Sequence, residues 1–311
     1  MGPEFSGIDT LEQKMATELD LPDDELVPNV DIDMPDDDEE VEDIEWQVSD
    51  VAQATASPIE RSERAKTFGL DTHPPLVDTR FLSVLVTGAP GVGKTVFAAS
   101  IYKYEPANPI LFLDCDGGLM SVRDKPLHVH TMTQSDAIDR VVKLVRRYPD
   151  AWSTVVLDSL SSYYLMLLDE IKRKRGAGPD DPNQIQDYQV ALILSRRRMR
   201  QLTALPLHVV VTALENTRQD ELLGIVRTEP SVSGKFAGEV GKYFDMHGNL
   251  SVLVRGKKRI RILSVQPTRR FQAKDRTGLF GDDIENPNLA RMVAAYCSQT
   301  MFVQEDSNAE S

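Results

Sequence analysis

From Phe81 onward, short apolar runs alternate along the chain with longer amphipathic stretches. Five of these runs are rich in Val, Ile and Leu and have the length of buried strands: 82–87, 110–114, 127–132, 153–158 and 207–213. Helix-like stretches lie between them, including residues 134–148 and 187–205. Because buried strands that alternate with helices form parallel sheets covered on both faces, the pattern predicts an α/β fold with a mostly parallel sheet.

The pattern changes after residue 220. LSVLV at 250–254 and RIRILSVQP at 259–267 are typical of strands, and the RGKK between them favours a turn. We therefore predict a C-terminal antiparallel hairpin added at the end of the sheet.

Residues 1–60 differ from the rest of the chain in charge. They contain 20 Asp and Glu residues and a single Lys, and so carry −19, whereas the whole chain of 311 residues carries −14 and the remainder therefore +5. Such a density of like charge, with scattered prolines, cannot bury enough apolar surface to fold. We predict an acidic disordered tail at 1–60, a linker at 61–80, one folded domain at 81–296 and a flexible C-terminal tail at 297–311.

Composition also indicates the cellular compartment in which the protein is expected. No apolar run approaches the ~20 residues that a membrane span needs, and the N-terminus lacks the basic-then-apolar pattern of a signal peptide. Cys115 and Cys297 stand apart from any CxxC or Cys/His cluster, which favours a reducing compartment and no zinc site. The sequence therefore predicts a cytoplasmic protein with no membrane partner.

The stretch GAPGVGKT at 88–95 follows the first strand-like run and precedes a helix-like segment. It fits the pattern G-x-x-x-x-G-K-[ST], in which glycines let backbone N–H groups wrap a phosphate. Lys94 is placed to reach the β- and γ-phosphates, and Thr95 to offer its hydroxyl to Mg²⁺. The predicted nucleotide-binding residues are Gly88, Ala89, Pro90, Gly91, Val92, Gly93, Lys94, Thr95 and Val96.

A carboxylate for the magnesium ion is expected at the end of a second strand. Asp158 ends the run TVVLD, at the carboxyl end where ligands of open α/β sheets bind. Capping of the following helix is the alternative role for this residue. Because a phosphate-binding loop precedes it in the chain, we favour the metal role, with Thr95 and Asp158 as the two ligands.

Two further runs end in polar residues. In ILFLDCDGG, Asp114 and Asp116 lie just past a strand, where a carboxylate could orient the water that attacks the γ-phosphate. A simple turn is the alternative, since Asp and Gly favour turns. We predict that Asp116, ahead of Asp114, is catalytic. Thr212 or Glu215, at the end of the fifth run, is a candidate sensor of the γ-phosphate, with an ordinary strand end as the alternative.

Together these motifs resemble the RecA-like ATPases, and most closely the phage RecA-like ATPases described as AAA-type nucleotide-binding proteins, which include the Sak-type single-strand annealing ATPases. The segments that carry the resemblance are GAPGVGKT, LFLDCDGG, VVLDSLSS, VVVTALEN, GKFAGEVGKYFD (234–245) and FQAKDRTG (271–278). The resemblance spans residues 81–296 and implies a RecA-like P-loop NTPase core. It also implies ATP and Mg²⁺ as cofactors and hydrolysis of ATP, with Lys94, Asp116 and Asp158 as catalytic residues.

The same resemblance implies a role for Lys274 and Arg276. They resemble the K-x-R finger pair that reaches the nucleotide of a neighbouring subunit, where a cation stabilises transition-state charge. A solvated turn is the alternative. The finger pair implies a homo-oligomer, either a ring or a filament.

By the same resemblance, Asp116 matches a carboxylate that RecA supplies as Glu, and the shorter side chain implies looser water positioning and slow turnover.

Basic clusters occur at 172–178, 196–200, 255–261 and 268–271, and clusters of this kind are usually solvated faces. In RecA-like proteins, the loop after the helix that follows the magnesium-binding Asp faces the central axis and contacts DNA. The resemblance therefore implies DNA binding by the four basic residues at this place, because Lys and Arg bind phosphates with no need to read bases. These residues are Lys172, Arg173, Lys174 and Arg175.

These observations favour a Mg²⁺-dependent, DNA-dependent ATPase that acts on single-stranded DNA in phage recombination or strand annealing, in the cytoplasm of the bacterial host. A single-strand binding protein or another recombination protein is a further expected partner. Two alternatives stay open. One is a ring helicase or other DNA motor, and the second is a nucleotide-gated adaptor that recruits a partner through its acidic tail.

Overall fold

In the computed structural model, residues 81–220 and 225–298 are described. The strands are β1 (Ser83–Gly88), β2 (Ile110–Asp114), β3 (His128–Thr131), β4 (Thr154–Asp158), β5 (His208–Asp220), β6 (Ile225–Pro230), β7 (Met246–Arg255), β8 (Lys258–Ser264), β9 (Lys274–Asp275) and β10 (Asp283–Glu285). The α-helices are α1 (Lys94–Ala99), α2 (Ala137–Arg147), α3 (Leu160–Lys174), α4 (Ile185–Thr203) and α5 (Lys235–Glu239), and residues 289–298 are also helical. The tail predicted at 1–60, the linker at 61–80 and residues 299–311 lie outside the described residues.

The strands form one sheet in the order β10-β8-β7-β1-β5-β4-β2-β3, with β6 paired to β5 and β9 paired to β7. From β7 to β3 the neighbouring strands are parallel. Every residue of β1, β2 and β4 is buried, which is why these strands are continuous apolar runs in the sequence. The predicted α/β fold class, a mostly parallel sheet that ends in an antiparallel hairpin, is confirmed.

Helices cover the sheet on both faces, and each face has its own apolar core. One core is formed with α2, α3, α4 and α5 and includes Ile138, Tyr163 and Phe236. The other core is formed with α1 and the helix at 289–298 and includes Phe97 and Leu289. A sheet buried on both faces has strongly fixed register, so the polar residues at its strand ends are held in fixed positions.

Helices α3 and α4 form an antiparallel pair that polar contacts hold at both ends. Near the start of α3, the buried Arg198 donates to the hydroxyl of Tyr163 at 3.0 Å. At the far end of the pair, Arg175 donates to both carboxylate oxygens of Asp187, at 3.1 and 3.0 Å. Among the described helices, none is long and apolar enough to cross a membrane.

The predicted C-terminal hairpin is confirmed, since β7 and β8 pair antiparallel from Asn249 to Arg255. The sequence did not show where β7 begins. Residues Met246 to Asn249 precede the predicted run and pair in parallel with β1. The hairpin is therefore joined directly to the strand that leads into the GAPGVGKT loop.

Candidate active site

The GAPGVGKT loop joins β1 to α1 and has the backbone that its glycines predict. Gly91 and Gly93 have φ values of 76° and 102°, a region that side chains with a Cβ rarely adopt. A Cβ on Gly88 would lie 2.4 Å from the carbonyl oxygen of Leu250, so the loop also needs glycine there for the close approach of β7. The loop therefore has the open backbone cradle that a phosphate group requires.

Lys94 is folded against this loop. Its ammonium group donates to the carbonyl oxygens of Gly88 and Ala89 at 2.8 and 2.9 Å. Burial lowers the pKa of Lys94, and the negative charges of Asp158 and Glu215 oppose that effect. A buried ammonium group that two carbonyl oxygens hold can exchange them for phosphate oxygens, which are stronger acceptors.

Asp158 lies at the end of β4 and receives hydrogen bonds from two neighbouring elements. Thr95 donates to its Oδ2 at 2.8 Å, and the hydroxyl of Thr212 on β5 donates to its Oδ1. Burial raises the pKa of Asp158, while these two hydrogen bonds act to lower it. The structure thus brings the two predicted metal ligands into direct contact, although they are far apart in the sequence.

This pair fits a magnesium ion held together with a nucleotide. Mg²⁺ is usually bound by one or two protein oxygens, substrate phosphates and water, rather than by an all-protein cage. Thr95 and Asp158 supply such oxygens beside the phosphate cradle. Among the residues that the structure describes, no group of three or more His, Cys, Asp and Glu side chains could hold a metal ion by itself.

The two candidate carboxylates after β2 have different surroundings. Asp114 is buried, and its Oδ1 accepts from the backbone N–H groups of Asp116 and Gly117 at 3.1 and 2.9 Å, so it stabilises the turn. Asp116 is exposed, and its Oδ2 accepts from Ser159 at 3.1 Å, one residue beyond Asp158. Of the two carboxylates, Asp116 is therefore the one available to a water molecule next to Asp158.

The two candidate sensors on β5 also differ. Thr212 is fully buried, and its hydroxyl donates to Asp158. Glu215 lies further along β5 at the same edge of the sheet, where its carboxylate accepts from Asn249 at 2.9 Å. Thr212 thus positions the β4 carboxylate, whereas Glu215 is the one of the two that is partly exposed beside the loop.

Two residues near the loop were not singled out by the sequence. Asn249 on β7 bonds Glu215, and it also donates to Thr87 at 3.4 Å. Arg261 on β8 donates from Nε to the carbonyl oxygen of Val92 at 2.9 Å, and so contacts the phosphate-binding loop itself. No motif or spacing could reveal either contact, because strand pairing brings the partners together. The only signal was the basic run at 255–261.

Lys274 and Arg276 lie toward the start of β1, whereas the loop follows its end. Lys274 on β9 pairs with His247, which in turn pairs with Leu85 of β1. Its ammonium group donates to the carbonyl oxygen of Gly241 at 2.8 Å. Burial, with the nearby charge of Arg276 adding to it, lowers the pKa of Lys274 to about 8. Neither residue contacts the loop of its own chain.

The four predicted DNA-binding residues fall into two pairs. Lys172 is buried and donates to the carbonyl oxygens of Pro179 and Asp181 at 2.7 and 3.2 Å, and Arg175 is bonded to Asp187. Arg173 and Lys174 are exposed. Lys172 and Arg175 thus hold together the connection between α3 and α4, and Arg173 and Lys174 remain at the surface.

Two solved structures that share similarity with this chain have TM-scores of 0.40 and 0.37. The first is the flagellar accessory protein FlaH from Methanocaldococcus jannaschii, with 9% identity over 66% of this chain and 84% of that chain. The second is a KaiC-like protein from Pyrococcus horikoshii OT3, with 14% identity over 66% of this chain and 89% of that chain. At this level of similarity they indicate nothing about the activity of this chain.

The comparison with curated protein sequences gave no match. The comparison with family models matched the AAA_24 family, described as an AAA domain, over residues 80–277. That match spans more than half of the chain and includes the phosphate-binding loop, the Thr95–Asp158 contact and β9. The chain therefore belongs to the AAA_24 family and carries an AAA domain.

Proposed function

We propose that this protein is a Mg²⁺-dependent ATPase that acts on single-stranded DNA in phage-type recombination or strand annealing, and that it works as a homo-oligomer. The observation that carries the ATPase part is the junction at the end of β1, β4 and β5. There Thr95 and Thr212 both bond the buried carboxylate of Asp158, next to Lys94. Burying a carboxylate is energetically unfavourable, so packing alone does not account for this junction, and a functional role does.

Each residue of this junction has a role with ATP. The backbone N–H groups of the loop and the ammonium of Lys94 would bind the phosphates. Thr95 and Asp158 would hold Mg²⁺, which when bound neutralises charge on the β- and γ-phosphates. Thr212 orients Asp158 and favours its ionised form, because its hydroxyl donates to that carboxylate.

Asp116 is the residue that we assign to the attacking water. Its carboxylate is exposed, and Ser159 holds it beside Asp158, so it can accept a hydrogen bond from a water at the end of the phosphate chain. Orienting that water and accepting its proton are the usual contributions of a carboxylate in phosphoryl transfer. The Asp116 side chain is one methylene shorter than the Glu that RecA uses, so it would hold the water less closely, and we expect a low turnover rate.

The oligomer is proposed from the position of Lys274 and Arg276. Lys274 is level with Leu85, three residues or about 10 Å before the end of β1, and the backbone N–H of Arg276 bonds Asp245 beside Ser83, about 16 Å before that end. Their own nucleotide is therefore out of reach, whereas a neighbouring subunit stacked on this edge would bring its γ-phosphate to them. Hydrolysis would then require assembly, because the transition-state charge is stabilised by a residue of the next subunit.

The DNA part rests on Arg173 and Lys174, the exposed pair at the end of α3. Its test is the rate of ATP hydrolysis with and without single-stranded DNA, together with the mass of the assembly in solution. We expect stimulation by DNA and a mass above that of one chain. A monomer whose hydrolysis does not respond to DNA would contradict the proposal.

DNA binding measured over a range of salt concentrations can locate the DNA contact. Replacing Arg173 and Lys174 by Ala should reduce the log–log salt dependence of DNA binding by about 1.4, since each phosphate contact contributes about 0.7. The matched control is the exposed pair Arg146 and Arg147 at the end of α2, changed to Ala. If the control lowers the slope as much, DNA is held by general attraction and not by α3.

A further inference from the structure

The β7–β8 hairpin projects beyond the end of β1. Leu250 lies beside Gly88, where β1 ends, and from Ser251 onward β7 has only β8 as a neighbour. We call residues 251–261 the basic ribbon. Its residues from 251 to 259 are all exposed. A two-stranded ribbon uncovered on both faces is only marginally stable by itself, so a covering partner would stabilise it.

Both faces of the basic ribbon combine apolar and basic side chains. Cross-strand pairs share a face, and Val254 pairs with Arg259 while Leu253 pairs with Ile260. Three successive apolar residues are exposed: Val252 by 39%, Leu253 by 43% and Val254 by 63%. An uninterrupted exposed apolar run of this kind is unusual on a surface that contacts only water.

The charge of the basic ribbon is nearly unopposed. It contains five Lys and Arg residues, at 255, 257, 258, 259 and 261, and no Asp or Glu. Among the described residues, the ion pair that its side chains form is Arg255 with Glu285 at 2.9 Å. The ribbon is therefore suited to a partner that is both strongly acidic and apolar.

Nucleic acid meets only the first of these requirements. Sequence-tolerant sites for single strands stack bases on aromatic side chains, and residues 250–264 contain no aromatic residue. An acidic peptide with interspersed aliphatic residues meets both. Residues 18–46 of this chain contain 15 Asp and Glu residues, no Lys or Arg, and apolar residues throughout, among them Leu26, Ile32 and Trp46.

We propose that the basic ribbon is the docking surface for residues 18–46, the acidic segment of the same polypeptide. The segment is long enough to reach it. Thirty-five residues separate Trp46 from Phe81, and a flexible chain of that length spans about 33 Å. From Phe81 to the tip of the basic ribbon is about 36 Å, the length of β1 plus the projecting part of β7. Docking therefore brings the acidic segment next to the phosphate-binding loop, which Arg261 contacts at Val92.

The test uses the two tryptophans of the chain, Trp46 and Trp152. In the full chain with Trp152→Phe, Trp46 is the only tryptophan and reports on the acidic segment. We expect its quenching by acrylamide to be weaker than in the urea-unfolded chain. Changing Lys257 and Lys258 to Glu should lower the docking equilibrium on the order of ten-fold, because two attractions become two repulsions. Quenching should then approach the unfolded value.

The matched control is the exposed pair Arg146 and Arg147, also changed to Glu. Independent of any tryptophan, a zero-length carbodiimide cross-linker should join Lys257 or Lys258 of the wild-type chain to carboxylates in 18–46. Dilution distinguishes a segment docked on its own chain from one docked on a neighbour, since only the second is lost.

Three results would overturn the proposal. The first is acrylamide quenching of Trp46 in the folded Trp152→Phe protein that is as strong as in the urea-unfolded chain, with no such cross-links. The second is an equal effect of the control pair, which would mean attraction without a site. The third is loss of single-stranded DNA binding in the ribbon variant while Trp46 stays unchanged, which would assign the basic ribbon to nucleic acid.

Discussion

Two buried histidines predict that the folded protein loses stability between pH 6.5 and pH 4. His208 and His247 are only 4% and 3% exposed. The Nδ1 atom of His208 accepts from the backbone N–H of Leu82 at 3.1 Å, which a protonated ring could not do. Burial lowers the pKa of each to about 4, and the charge of Lys274 adds to the effect on His247.

The sign and size follow from proton linkage. A group whose pKa is lower in the folded state binds fewer protons there than in the unfolded chain, so a fall in pH favours unfolding. The stability that the two neutral histidines contribute is fully present above pH 6.5 and is lost as the pH falls toward 4. At pH 5 the loss is about 2 kcal/mol for each histidine and about 4 kcal/mol for both. Set against a typical total of about 5–15 kcal/mol, this is a large fraction.

Urea unfolding at pH 7.5 and pH 5 measures this loss directly. His208→Gln should reduce the pH-dependent part of the free energy of unfolding by about half, even if the variant is less stable at both pH values. His128→Gln, at an exposed position, is the matched control and should leave the pH dependence intact. Equal stability of the wild-type protein at the two pH values would refute the reasoning, as would a control that removes the dependence.

Three further predictions concern the active site. Asp116→Asn should keep nucleotide affinity and lower turnover by about 10²–10⁴-fold in a steady-state assay, because a water-orienting base is lost. Asp114→Asn should have a milder effect on turnover, because the Asn side chain keeps an oxygen that accepts the two turn hydrogen bonds. If Asp114→Asn proves the more damaging change, the roles of the two residues are exchanged. Thr212→Val should lower the free energy of unfolding by about 2 kcal/mol, because the buried β4 carboxylate loses a donor, and should raise the Mg²⁺ concentration needed for half-maximal hydrolysis; an unchanged Mg²⁺ dependence would contradict this. Arg276→Ala should lower the rate of ATP hydrolysis and leave nucleotide affinity unchanged. Mixing this variant with Lys94→Ala protein should restore activity at interfaces that join an intact finger to an intact loop. A mixture that co-assembles but is no more active than its separate components would exclude action in trans.

The sequence predicted the elements that local pattern controls. The strand runs ending at Asp114 and Asp158 are buried strands, because apolar runs of that length bounded by polar residues have few alternatives. The loop from Gly88 to Thr95 was also predictable, since its glycines serve the local backbone. The carboxyl ends of parallel strands lie at the same edge of a sheet, so the sequence also predicted that Asp114, Asp158 and the loop lie at one edge.

The sequence could not predict contacts that the sheet order creates. Asn249 meets Glu215 only because β7 and β5 are both neighbours of β1, and no local signal encodes that arrangement. Composition also gave an incomplete account of the cluster at 172–175. A run of four cations resembles a solvated surface, yet two of them bond carbonyl and carboxylate groups that become their neighbours only when α3 and α4 pair.

The basic ribbon is a case in which the pattern was visible but its setting was not. The run RGKKRIR marks a turn with many cations, and only the structure shows that the hairpin stands free beside the phosphate-binding loop. Its apolar residues look like ordinary strand positions in the sequence. Exposure on both faces, which depends on where β1 ends, is what makes them candidates for binding.

The measurement that tests the central claim most directly is hydrolysis of ATP by the wild-type protein and by Lys94→Ala, with Mg²⁺ and with EDTA. The claim is that the loop from Gly88 to Thr95, with Asp158, binds ATP and Mg²⁺ for hydrolysis. We predict phosphate release by the wild-type protein that requires Mg²⁺, and none above background for Lys94→Ala, whose circular dichroism spectrum should match the wild type. Hydrolysis by Lys94→Ala at the wild-type rate, or wild-type hydrolysis that persists in EDTA, would contradict the account.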